Sequence, residues 1–232
     1  MNLFLCHHYD ASALYVYNRF RRWGLTSLYI ITPEELLTAR KWQHLVATDK
    51  VSTAVTLQNG LHIDFYEVNR IFNRLQLLEH PFWKKAPLQE NEFAHQELTS
   101  FYLSWLYSLN SKVFNRPSAM GLSGNYLTPL QWKDIALKTG MAVSPDMPDM
   151  QTPTPYQRQL IVFQQKVYGP FISKQINTAC IQLAQQTGHE LLSFSFRQDE
   201  NGKWLFHNAS SFPDLTTGGD ALLKHIYSTF LN

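Results

Sequence analysis

Val113-Phe114-Asn115-Arg116-Pro117, and further on Pro145 followed after only ten residues by Tyr156, are the stretches whose reading decides the fold. The first is an apolar pair followed by Asn-Arg-Pro. Asn125, Leu130, Trp132, Ala136 and Gly140 follow it as a helix closed by glycine, and Val143 leads to Pro145. The ten residues after Pro145 are Asp-Met-Pro-Asp-Met-Gln-Thr-Pro-Thr-Pro. Their three prolines withhold backbone donors, so the segment reads as a connection with no folded layer of its own. An α/β domain is therefore expected over residues 1–117 and a short α+β domain over residues 118–232.

Toward the N-terminus, residues 2–6 read as a buried strand. Residues 11–23 read as a helix with Leu14, Val16, Tyr17 and Phe20 apolar, ended at Gly24. Residues 27–32 form a second continuous apolar strand. Pro33-Glu34-Glu35 opens a helix, since proline suits the first turn and acids suit the dipole there. Asn59-Gly60 is the strongest hairpin signal and predicts a strand on each side. Residues 68–72 are a further strand, and residues 92–109 are a long helix with Phe93, Phe101, Tyr102, Trp105 and Tyr107 as its aromatic face. A strand-helix-strand start followed by a hairpin predicts a partly parallel sheet. Past Tyr156 the pattern predicts strands at 160–163, 191–196 and 203–207 and helices at 173–188 and 219–231, an α+β layer.

Composition excludes several function classes. With 44% hydrophobic residues in 232 the chain can bury a core, and 16% charged against 14% aromatic residues points to much surface that is buried or covered by a partner. The net charge is +2 and no basic run exceeds Arg21-Arg22 or Lys84-Lys85, so no nucleic-acid partner is expected. Nothing approaches a membrane span, and the chain opens on an apolar strand without the charged region of a signal peptide. Cys6 and Cys180 are the only cysteines and make no disulfide framework; a reducing cytoplasm is the expected compartment. There is no Gly-x-Ser-x-Gly elbow, and Gly121-Leu122-Ser123-Gly124 lacks the lysine of a P-loop.

Read together, these pieces resemble ATP-grasp ligases related to glutathione synthetases and to enzymes that modify ribosomal peptides. Residues 113–145 are similar to the junction that leads into the nucleotide site. Leu57-Gln58-Asn59-Gly60-Leu61-His62-Ile63 and Val68-Asn69-Arg70-Ile71-Phe72-Asn73-Arg74-Leu75 resemble the hairpin and the asparagine-arginine strand of a pre-ATP-grasp domain. Residues 158–167 resemble the arginine, hydrophobic strand and lysine-valine turn of the core. Residues 191–215, with Gly202-Lys203-Trp204 and Phe212-Pro213-Asp214-Leu215, resemble its terminal metal-binding hairpin. The implied fold class is α/β, ATP-grasp-like: a pre-ATP-grasp α/β domain followed by an incomplete α+β ATP-grasp domain.

The departures from that pattern bear on function. The family grips the nucleotide phosphates with a lysine-bearing subdomain and a glycine-rich loop, and ten residues cannot build that subdomain. It holds magnesium with an acidic strand residue and a Glu-x-Asn pair before a proline. With Pro213 on that proline, Asn208 and Ser210 stand for the pair, Ser195 stands near the acidic residue, and Tyr126 replaces the lysine after Asn125. The resemblance thus implies no catalytic residue, no metal and no cofactor.

Among candidate binding residues, Cys6-His7-His8 with Asp10 holds zinc-type ligands, yet neighbours in a strand face opposite ways and cannot converge on one ion. His7 and His8 lie where an α/β sheet tends to bind ligands, at the end of its first strand. Arg70, Arg74 and Arg116, with Asn115 beside the last, either form a cationic pocket for a carboxylate or close their strands onto nearby loops. Arg158 resembles a phosphate-contacting arginine of the family, and without lid and metal it is expected in a structural ion pair. Phe82 and Trp83, in a proline-bounded loop, are expected to contact a peptide or partner. The resemblance implies a non-catalytic subunit that binds a peptide and assembles as a homodimer or with a full-length ATP-grasp protein. The alternatives are a ligase completed by a second chain or using a noncanonical site, and a structural remnant.

Overall fold

The computed structural model describes residues 1–76, 78, 87–145 and 157–231. They form two compact units, Met1–Ser123 with Thr229–Asn232, and Gly124–Ser228.

The first unit is built on β1 (Asn2–Leu5), which pairs in parallel with both β2 (Leu28–Ile31) and β6 (Arg70–Asn73). All of β1 is buried, as its unbroken apolar character requires of a strand covered on both faces. Helix α1 (Ala11–Arg22) makes the crossover to β2 and buries Ala13, Val16 and Phe20. Asp10 caps it by accepting from the Ala13 amide at 2.9 Å. Thr32 and Glu35 close a capping box on the short helix α2 (Pro33–Leu37).

An antiparallel sheet of β3 (Lys41–Val46), β4 (Val51–Thr56) and β5 (His62–Asp64) follows. The last two are the strands expected around Asn59-Gly60. β3 is an element the sequence reading lacks, because its outward Lys41, Gln43 and Leu45 obscure the inward Trp42 and His44. Helix α3 (Leu88–Ser108) packs on this sheet through Trp105, whose ring centroid lies 4.8 Å from Phe65 and 5.1 Å from Trp42. The aromatic face expected on α3 is divided. Tyr102 and Trp105 are enclosed, whereas Tyr107 is exposed, since two residues turn a helix by about 200°.

The last described residues re-enter this unit. The Phe230 ring sits 5.7 Å from Phe4, 5.7 Å from Phe20 and 5.8 Å from Phe114, and Phe72 completes the cluster at 5.0 Å from Phe4. Asn2 Nδ2 donates to the Phe230 carbonyl and Arg70 Nε to that of Thr229, each at 3.2 Å.

The second unit is a four-stranded antiparallel sheet in the order β10 (Trp204–Ser210), β9 (Leu191–Gln198), β7 (Gln157–Phe163), β8 (Lys166–Tyr168). On one face Leu160, Phe194 and Phe206 pack with Trp132 of α4 (Pro129–Lys138) and Cys180 and Leu183 of α5 (Lys174–Gln186). On the other, His225 of α6 (Gly219–Ser228) accepts from or donates to the Tyr168 hydroxyl at 2.6 Å and meets the edge of Phe163. Among the described residues no helix is long and apolar enough to cross a membrane.

Because Phe230 is almost fully buried against Phe4, Phe20 and Phe114, Phe230→Ala is expected to destabilise the protein by about 3–5 kcal/mol. Urea unfolding followed by tryptophan fluorescence measures this, and a loss below about 1 kcal/mol would show that the cluster closes without it.

Candidate functional site

The register of β9 against β10 builds the site. Ser193 faces Ser210 and Ser195 faces Asn208, with a shift between Phe206 and Asn208 that leaves His207 as the extra residue. Without that bulge Ser195 would face His207. Directly opposite residues in an antiparallel pair share a face, so these four side chains project together. Gln159 and Ile161 of β7 extend the two rows, because they pair with Ser195 and Ser193. The intervening Phe194 and Ala209 point into the core.

The hydroxyls are turned inward on the backbone. Ser195 Oγ donates to the Asn208 carbonyl at 3.3 Å and Ser193 Oγ to the Ser210 carbonyl at 3.1 Å, while Ser210 Oγ accepts from the Phe212 amide at 3.1 Å. Asn208 Oδ1 is enclosed and has no hydrogen-bond partner among the described residues. Arg197, which pairs with Leu205 and with Gln157, adds a positive charge to the same face. Chemically the surface offers neutral donors and acceptors with a guanidinium at one end, and no carboxylate from Leu191 to Gln198 or from Trp204 to Ser210. A divalent cation of the magnesium type wants anionic oxygens, so these residues do not fit one.

The other candidate residues are dispersed. Arg158 donates to the Phe171 carbonyl at 2.9 Å and lies 4.9 Å over the Trp204 ring; the expected ion pair is not found among the described residues. Arg70, besides holding Thr229, donates to the Ser111 carbonyl and lies over Phe114. Arg74, at the other end of β6, makes a forked contact with Asp10, 2.6 Å from Nε to Oδ2 and 3.3 Å from Nη2 to Oδ1. Arg116 is exposed, with its guanidinium carbon 4.0 Å from the centroid of the Tyr107 ring. Asn115 is buried with φ at +50°, a left-handed conformation that asparagine tolerates. The structure thus does not bring the three arginines together, because each is bound to a different part of the first unit.

At the end of β1, His7 is buried and stacks on the exposed Tyr9 at 4.9 Å, while His8 is exposed and meets the edge of Tyr9 at 5.1 Å. Burial pushes the Cys6 thiol up to about 12, with the Asp10 charge acting in the same sense, so it stays a neutral thiol. Asp10 spends its oxygens on Ala13 and Arg74. No group of three or more His, Cys, Asp or Glu side chains able to hold a metal occurs among the described residues. Phe82 and Trp83, the expected peptide contact, lie outside the described residues. Sequence reasoning missed Tyr107, which supports Arg116. No local signal marks it, since the residues are nine positions apart and meet only through the turn after α3.

No protein-family model matches the sequence, and neither does any curated protein. Solved structures do match. The macrocyclase MdnC of Microcystis aeruginosa MRC, bound with precursor peptide MdnA, superposes with a TM-score of 0.78 at 12% identity, over 100% of each chain. The ATP-grasp ligase PsnB, complexed with minimal precursor, gives 0.73 at 9% identity over 99% of this chain and 97% of that one. A RiPP-associated ATP-grasp ligase of Chryseobacterium gregarium, in complex with ADP and a leader and core peptide, gives 0.67 at 9% over 99% and 94%.

If the β9 and β10 side chains converge as described, Ser195→Asp combined with Asn208→Glu sets two carboxylates about 5 Å apart. The double variant is expected to lose about 1–3 kcal/mol at neutral pH through like-charge repulsion and desolvation. Mutual repulsion raises the folded-state pKa of the pair, so stability returns as pH falls through that raised value. Millimolar manganese is expected to raise the melting temperature of the variant and leave the wild type unmoved; an indifferent variant would mean that the two strands do not share that face. By its structural likeness to these proteins over nearly the whole of each chain, this chain has an ATP-grasp-like fold.

Proposed function

We propose that this chain is a non-catalytic ATP-grasp-like subunit that binds a peptide or a partner protein, accessory to an ATP-grasp ligase in peptide modification. The observation that carries the proposal is the paired rows on β9 and β10, which hold serine and asparagine with an arginine beside them and no acid. Magnesium bridging to phosphate needs anionic oxygens, and neutral hydroxyls committed to backbone carbonyls are poor substitutes. The eleven residues between Pro145 and Gln157 support the same reading, being too few for a phosphate-gripping layer.

The peptide part of the proposal is supported by the company the fold keeps: MdnC, PsnB and the Chryseobacterium ligase were each crystallised with a precursor, leader or core peptide. Assembly as a homodimer or with a full-length ATP-grasp protein accords with apolar side chains left in solvent. Leu130 and Leu137 of α4 stand on its outer surface, as does nearby Tyr126. Such side chains are covered at low cost by a second protein.

Isothermal titration of the purified chain with ATP and magnesium tests the proposal. No heat of binding is expected up to millimolar nucleotide. Magnesium-dependent micromolar binding would overturn it in favour of a ligase with a noncanonical site.

A further inference from the structure

The hairpin of β3 and β4 leans on α3 through His44, whose Nε2 lies 3.1 Å from Ser104 Oγ and whose ring meets the edge of Phe101. Two residue pairs further, where Val46 faces Val51, the hairpin and the helix leave a groove of about 590 Å³. Val46, Val51, Leu103, Tyr107, Arg116 and Pro117 make its walls. Val46 and Val51 are 68% and 44% exposed, unusual for paired valines, and Tyr107 is 56% exposed.

Charge decides what fits. Among the described residues Arg116 is the only charged one that lines the groove, and no acid lines it. Its guanidinium rests on the Tyr107 ring, and among the described residues neither a carboxylate nor a carbonyl takes its hydrogen bonds. Stacking fixes the plane of the guanidinium and leaves its edge donors directed outward, an arrangement that suits the two oxygens of a carboxylate. His44, on the hairpin beside Ser104, is held below its usual pKa by burial and adds no charge at neutral pH, while Asp49 and Lys50 lie in the turn before Val51 and are not among the lining residues.

Resting on the peptide-binding reading above, we infer that this groove is a docking site for a peptide segment in which an Asp or Glu is flanked by apolar side chains. The carboxylate lies on Arg116 and the apolar side chains lie between the valine pair and the outer face of α3. The volume accommodates a few side chains, within the usual range for a ligand cleft.

Fluorescence polarisation with a labelled Val-Glu-Leu-Phe-Glu-Val peptide, beside its Gln-for-Glu counterpart, tests the site. The wild-type chain is expected to bind the acidic peptide about tenfold more tightly than the neutral one. Arg116→Gln should equalise the two, and Val46→Asp should weaken both; both positions are exposed, and thermal melting confirms that each variant is folded. An undetectable interaction, equal affinities in the wild type, or a preference that survives Arg116→Gln would each overturn the inference. So would a dimer in sedimentation that Val46→Asp dissolves, since the groove would then be filled by a second copy. Nucleotide binding is read separately, so a failed groove leaves the non-catalytic reading standing, and a failed non-catalytic reading shows itself as heat with ATP.

Discussion

One of the two apolar clusters of the first unit is closed by the insertion of Phe230 against Phe4, Phe20 and Phe114. That contact brings the end of the chain back against its beginning, β1. In sequence the second unit, Gly124–Ser228, is an insertion between two segments of the first. Arg70 and Asn2 serve this closure by holding the Thr229 and Phe230 carbonyls. An arginine at a strand end is therefore used as a strut, and its charge is dispersed over carbonyls and the Phe114 ring in place of a ligand.

In the second unit the governing feature is the bulge beside His207. It sets Ser195 against Asn208 and Ser193 against Ser210 and turns the polar rows to one face, while Phe194, Phe196 and Phe206 fill the other. One extra residue thus decides which side chains meet, and their chemistry decides what the face can do. Hydroxyls folded onto their own backbone and an amide oxygen with no partner make a surface able to hydrogen-bond and unsuited to a hard cation.

Much of this was legible in the sequence. Unbroken apolar runs marked β1 and β2, Pro33-Glu34-Glu35 marked a helix start, and the family resemblance, set on Pro213, drew attention to Ser195, Asn208 and Ser210 before their register was known. β3 escaped because alternation on a surface strand with three outward residues looks like polar loop. The arginines were legible as cations but not by partner. Arg74 finds Asp10 only when β6 is laid beside β1, and Arg116 finds Tyr107 only when the chain turns back after α3. Side-chain pairings between distant segments depend on tertiary geometry that no local pattern encodes.

The central proposal is that the β9 and β10 face does not hold a metal-bound nucleotide. Its most direct test is an NMR titration of the isotope-labelled chain with manganese and ATP, following the amide signals of Ser195, Asn208 and Ser210. Unchanged intensities at all three are predicted. Selective paramagnetic broadening there, reversed by a chelator, would contradict the account.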